Sequence, residues 1–130
     1  SLGDLIMSGV SVRHPTLRVI SVEHEAGWAA FWLQQMDHAY TESIDHADAQ
    51  SFRHLGEGTL PSDLFHRNVC IQFCEDRVAV QNRHAIGVGN LIWGNDYPHG
   101  ESTFPRSQEI VSERFAGVPD ARCANSHSLL

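Results

Sequence analysis

The chain has no lysine, and all nine of its Lys/Arg positions are arginine. We read this as compositional bias. The net charge is −7 with histidine neutral. Nucleic acid is therefore not expected as a partner, because phosphate binding needs a basic face. No apolar run approaches the ~18 residues of a membrane span, so no membrane partner is expected. The opening "SLGDLIMSGV" lacks a basic segment followed by a long apolar core and is not read as a signal peptide. There is no Cys-x-x-Cys pair. Cys70 and Cys74 lie four apart in an expected strand, about 13 Å at ~3.3 Å per residue, too far for a disulfide. Reduced thiols suit a cytoplasmic protein.

What is present fits one domain of ordinary size over residues 1–130. Hydrophobic residues make up 42 %, enough to build a core. Nine histidines are many for this length, but most stand in polar contexts where surface exposure is the default.

Residues 2–10 have helical spacing weakened by Gly3 and Gly9. Leu17–Val22 reads as a strand, apolar enough to be covered on both faces. Residues 26–42 carry Trp28, Phe31, Trp32, Met36 and Ala39 at helical steps, read as a core-packing stripe. Residues 43–62 form a long polar loop. A short helix follows in "LPSDLFHRN", with Ser62 as a candidate cap. Residues 69–76 read as a strand, 77–86 as a helix and "NLIWGND" as a strand. Residues 105–116 read as a helix with Pro105 in its first turn, ended by Gly117. The tail, 118–130, is weakly patterned and expected to be poorly ordered.

Strands alternating with helices predict an α/β fold with a parallel sheet and right-handed crossovers. Each strand ends in polar chemistry: Glu23-His24-Glu25, then Glu75-Asp76, then Asp96 to His99. Ligands in α/β folds bind beyond the carboxyl ends of strands. Blander roles stand beside each candidate. Asp96 fits a solvated turn or a helix cap, and His24 fits a hydrogen bond to nearby backbone. His99 and Glu101 fit a plain polar loop, while Glu23, Glu75 and Asp76 fit a solvated rim. His46 and His54 show no ligand spacing, and Trp93 reads as core.

The segments "VISVEHEAGWAAFWLQQMDHAY", "LPSDLFHRNV" and "IGVGNLIWGNDYPHGESTFPRSQEI" together resemble the C-terminal part of the amidohydrolase-related (amidohydrolase 2) family of metal-dependent hydrolases and decarboxylases. The resemblance covers roughly residues 5–119. It implies a partial (β/α)8 TIM barrel, about the last three βα units. It implies that Asp96 is a metal ligand, or a base acting on metal-bound water, and that His24 is a metal ligand or catalytic acid/base. His99, Glu101 and Asn95, where relatives often carry serine, would orient ligands or substrate. The implied cofactor is a divalent metal, most often zinc, and the implied substrate a small organic molecule such as an aromatic or cyclic acid.

The family's His-x-His pair and further histidine have no counterpart here, and His14 fits no such pattern. With His24 and Asp96 alone, the chain falls short of the three protein ligands usual at catalytic zinc. Weak activity or none is therefore expected of it by itself. Parallel strands cut from a barrel leave open edges. Homo-oligomerisation, or association with a missing N-terminal half, is expected to cover them, with Val19, Val69, Ile71 and Leu91 losing neighbours otherwise. The alternatives are a non-catalytic half-barrel that binds a small molecule or protein, and a truncated gene product.

Overall fold

Three short apolar segments become the strands. The computed structural model describes residues 1–44 and 55–119. Strands β1 (Val19–Ser21), β2 (Val69–Phe73) and β3 (Leu91–Trp93) form one parallel sheet in the order β1-β2-β3. Each is shorter than the segment expected as strand, because strand ends are set by ladder pairing rather than by side-chain chemistry. The helices are α1 (Leu2–Met7), α2 (Val10–Arg13), α3 (Ala29–Ile44), α4 (Pro61–Asn68), α5 (Arg77–Gln81), α6 (Arg83–Ile86) and α7 (Ser107–Arg114). A 3-10 turn, Val88–Asn90, leads into β3. Residues 45–54 of the expected loop, with His46 and His54, lie outside the described residues. So do residues 120–130 of the tail, with Cys123.

Several local expectations shift. The single helix over 77–86 divides at Asn82, whose φ −93°, ψ 10° ends α5 and caps α6. Ser62 does not cap α4. Leu60 occupies that position, Pro61 opens the helix, and Asp63 reaches back to accept from the Leu60 N–H at 2.9 Å. The Ser62 N–H instead donates to Asp37 on α3. Pro105 precedes α7 rather than lying in its first turn.

The buried face of α3 is rotated from the expected stripe. Ala29, Leu33 and Tyr40 are buried, whereas Ala39 is exposed and Phe31 is 68 % exposed. Ala29, Leu33, Met36 and Tyr40 follow the same three- and four-residue steps one position over. The indole N–H of Trp28 donates to the carbonyls of His24 and Glu25, so this ring pins the turn after β1.

The sheet is asymmetric. Val69, Ile71, Phe73 and Leu91 pack into the core with Phe65, Leu64, Ile86 and Leu33. Val19 and Trp93 share that face by register and pack against it, half-buried. The opposite face carries Ile20, Cys70, Gln72 and Ile92. None of these four is buried, and Ile20 is 53 % exposed. Val69, Ile71 and Leu91 therefore keep their neighbours, contrary to expectation. It is the face turned away from the helices that stands open, because α-helices cover one side only. The expectation that β1 is covered on both faces fails for the same reason.

At the amino ends of the strands, two buried asparagines close the backbone. Asn68, 1 % exposed, donates to the carbonyls of Pro15 (3.1 Å) and Leu17 (2.7 Å). It also accepts from the Arg67 Nε–H. Asn90, 8 % exposed, donates to the carbonyls of His66 (2.9 Å) and Val69 (2.7 Å). Gly87, at φ 99°, lets this amide approach: a Cβ there would lie 2.3 Å from Asn90 Oδ1. No helix among the described residues is long and apolar enough to cross a membrane.

Candidate metal-binding site at the strand ends

The carboxyl ends of the strands are laced together by side chains of β2 and the turn after it. Gln72 accepts from the Glu23 N–H at 3.2 Å, and its amide nitrogen lies 3.5 Å from the Gly94 carbonyl oxygen. One side chain on the central strand thus reaches the exits of both outer strands. The close approach requires Gly94, where a Cβ would lie 3.0 Å from Gln72 Nε2. The Trp93 indole donates to the Cys74 carbonyl. Asp76 is no solvated rim residue. Its carboxylate caps α5 through the Ala79 N–H and accepts from the Ala26 and Gly27 N–H groups. Glu25 accepts from the Cys74 and Glu75 N–H groups.

Three acidic residues on this rim have left-handed backbones: Glu23 (φ 69°), Glu25 (φ 50°) and Asp96 (φ 55°). Such conformations cost a non-glycine residue about 1–2 kcal/mol and persist where surrounding bonds over-determine them. Here the Gln72 and Glu25 bonds hold the first exit. Asn95 holds the second: its side chain accepts from the Tyr97 N–H, and its carbonyl from the Thr103 N–H and the Ser102 hydroxyl.

These exits bring Glu23, Asp96 and His99 together, with one donor atom from each within 4.8 Å of the others. His99 Nδ1 lies 3.1 Å from Asp96 Oδ2 and 3.3 Å from Glu23 Oε1. Metal bonds of about 2.0–2.1 Å in a tetrahedral site put neighbouring donors about 3.3 Å apart. Two carboxylates and an imidazole therefore fit a divalent cation in donor type and in these two spacings. The set is open to solvent. The His99 and Glu23 side chains are 62 % and 52 % exposed, and that of Asp96 is 25 % exposed.

Beside this group is a cleft of about 110 Å³, lined by Glu23, Glu25, Gln72, Cys74, Asp96 and Glu101. Four carboxylates give it a negative potential that concentrates cations. Small-molecule sites begin near ~300 Å³, so the cleft can take an ion and a few waters, not an organic substrate. Partial burial pushes the Cys74 thiol up from its ordinary range, and the charges of Glu25, Asp96 and Glu23 add to this. This disfavours the thiolate, the nucleophilic form.

Of the residues singled out from the sequence, Asp96 and His99 meet, and Asn95 shapes their turn. Glu101 lines the cleft. His24 is exposed and does not belong to the three-residue group; its carbonyl accepts from Trp28. Glu23, read from the sequence as rim, takes part in the group instead. Its one signal was position, next to His24 at a strand exit.

No protein-family model matches the sequence, and no curated protein matches it. Solved structures do resemble the fold. The 5-carboxyvanillate decarboxylase LigW of Sphingomonas paucimobilis superposes with a TM-score of 0.74 at 23 % identity, over 97 % of this chain and 36 % of that one. An amidohydrolase of Mycobacterium avium subsp. paratuberculosis K-10 superposes with a TM-score of 0.73 at 23 % identity, over 95 % of this chain and 29 % of that one. The chain thus shares the fold of part of a TIM barrel and spans about a third of the length of these structures.

Proposed function

We propose that this chain is the C-terminal portion of a metal-dependent hydrolase or decarboxylase acting on a small organic acid. By itself it is weakly active or inactive. The observation that carries the reading is the meeting of Glu23, Asp96 and His99 beyond the carboxyl ends of parallel strands, where barrel enzymes do their chemistry. Asp96, Glu23 and His99 would hold the cation, zinc being the first candidate for two carboxylates and an imidazole. His24, one residue along on the same exit, is a candidate for proton transfer once substrate is present. A bound divalent cation supplies Lewis acidity and lowers the pKa of water. Glu101 and Asn95 would shape the approach to it.

Two facts support weak activity alone. The donors are solvent-exposed, so binding must order and desolvate them. The cleft is also too small for an organic substrate, so further protein must enclose it. Tyr97 and Phe104 pack edge to face at 5.1 Å next to Asp96, and both are largely exposed. This aromatic surface favours a ring-bearing acid. The open face of Ile20, Cys70, Gln72 and Ile92 supports association with the remainder of a barrel or with a second copy. A purely binding half-barrel is the second reading, favoured by that same face. The free thiols of Cys70 and Cys74 suit a cytoplasmic setting.

Elemental analysis of the purified chain after zinc loading and desalting tests this. The expected result is about one zinc per chain, lost in Asp96→Asn, a change that keeps a residue tolerant of the left-handed backbone. A wild-type chain without metal would sink the catalytic reading. Sedimentation of the same sample reports whether copies associate.

A further inference from the structure

A second cleft, of about 390 Å³, lies between α5, α6 and the end of α7. It shares no lining residue with the carboxyl-rim cleft. Its walls bring together Arg77, Arg83 and Arg114, with Glu113 as the one carboxylate. In a chain of net charge −7, that is a local reversal of sign. Arg114 is partly neutralised, by Glu113 at 3.0 Å and Glu75 at 3.6 Å. Arg77 and Arg83 make no ion pair among the described residues, although Arg83 donates to the Val80 carbonyl. Among these residues, three buried side-chain polar atoms lack a hydrogen-bond partner: Ser11 Oγ, Arg83 Nε and Arg114 Nε. Two of the three belong to guanidinium groups of this one cleft. Native interiors leave few buried donors unmet, and each calls for a water, an ion or a ligand.

The cleft therefore sets three guanidinium groups against one carboxylate and is short of negative charge. Guanidinium groups answer that shortage best with the paired oxygens of a carboxylate or phosphate. Val80, Ala116 and Val118 add apolar wall, and the volume lies within the range of small-molecule sites, about 300–1,000 Å³. We propose that this cleft binds a small organic oxyanion, a carboxylate or phosphate group on a compact apolar body. The inference is independent of the metal-binding reading of the other rim.

Calorimetric titration of the full chain with benzoate and with phenyl phosphate, at matched ionic strength, tests it. Saturable binding of one or both is expected, with Kd below about 1 mM. Benzoate alone identifies a carboxylate site and phenyl phosphate alone a phosphate site; binding of both marks a general oxyanion site. Arg77→Gln and Arg83→Gln should each weaken binding about 10-fold, and Asp96→Asn should leave it unchanged. Arg77 is exposed and makes no ion pair among the described residues, so its variant keeps the fold even if the Arg83 variant does not. Failure of both probes to saturate below about 1 mM overturns the proposal. So does binding that survives Arg77→Gln unchanged, or that disappears with Asp96→Asn.

Discussion

The two rims of the sheet solve opposite problems. At the amino rim, Asn68 and Asn90 are buried, neutral and bonded to backbone carbonyls. At the carboxyl rim, Glu23, Asp96 and His99 are charged or chargeable, partly to largely exposed, and carried on left-handed backbones at Glu23 and Asp96. Buried amides that meet their partners add rigidity and offer nothing to a ligand. Carboxylates crowded at a strained exit detract from stability but are available to a cation. Barrel folds divide labour this way, with stability at one face and chemistry at the other.

The sharpest way to break the contrast is at the amino rim. Asn90→Ala should leave the His66 and Val69 carbonyls without their donor and open a cavity beside Gly87. The expected loss is about 3 kcal/mol of folding stability, read from urea denaturation, with zinc binding per folded chain retained. A loss below about 0.5 kcal/mol, the range of ordinary surface changes, would remove the structural role given to this rim.

Glu23→Gly should behave in the opposite sense. Glycine relieves the left-handed backbone but adds freedom to the unfolded chain, so stability should hold or rise by up to about 1 kcal/mol. Zinc uptake should fall sharply. A clear drop in the urea midpoint would show that Glu23 serves the fold rather than a ligand.

The smallest effect concerns Cys74. Burial comes first among the causes that raise its thiol, and carboxylate charge adds to it. A raised pKa means that the thiolate, the reactive form, appears only above the ordinary thiol range. In a Cys123→Ser chain, alkylation by iodoacetamide followed by mass spectrometry should be slow at pH 7–8. It should accelerate only as pH passes above the range of free cysteine. Rapid labelling of Cys74 at pH 7 would contradict the electrostatics assigned to the cleft.

Much of the frame is legible in the residues. Alternating apolar segments and helical periods give the β-α order, and polar residues after each strand mark the rim where ligands would gather. What periodicity cannot choose is phase. In α3, Trp32 and Met36 of the expected stripe do pack against the core, whereas Phe31 and Ala39 turn outward and Ala29, Leu33 and Tyr40 turn inward. Only the floor beneath the helix selects among these helical steps. Nor does the pattern choose which sheet face stands open, since Val69 and Cys70 are both apolar enough for either side. At the first strand exit, attention falls on His24, yet Glu23 joins Asp96 and His99. The reversal of φ at Glu23 breaks the alternation beyond Ser21, and no spacing in the sequence announces it.

The sequence by itself determined the α/β order, the acidic balance and the clustering of ionisable residues after strands, because these depend on local propensity and composition. The tertiary structure alone decided which of those residues meet. Glu23 and Asp96 come together only through parallel pairing across β2 and the reach of Gln72 to both exits. The arginine cleft likewise exists only because α7 packs back beside α5 and α6. Contacts between residues distant along the chain are set by packing, and packing is a property of the whole fold.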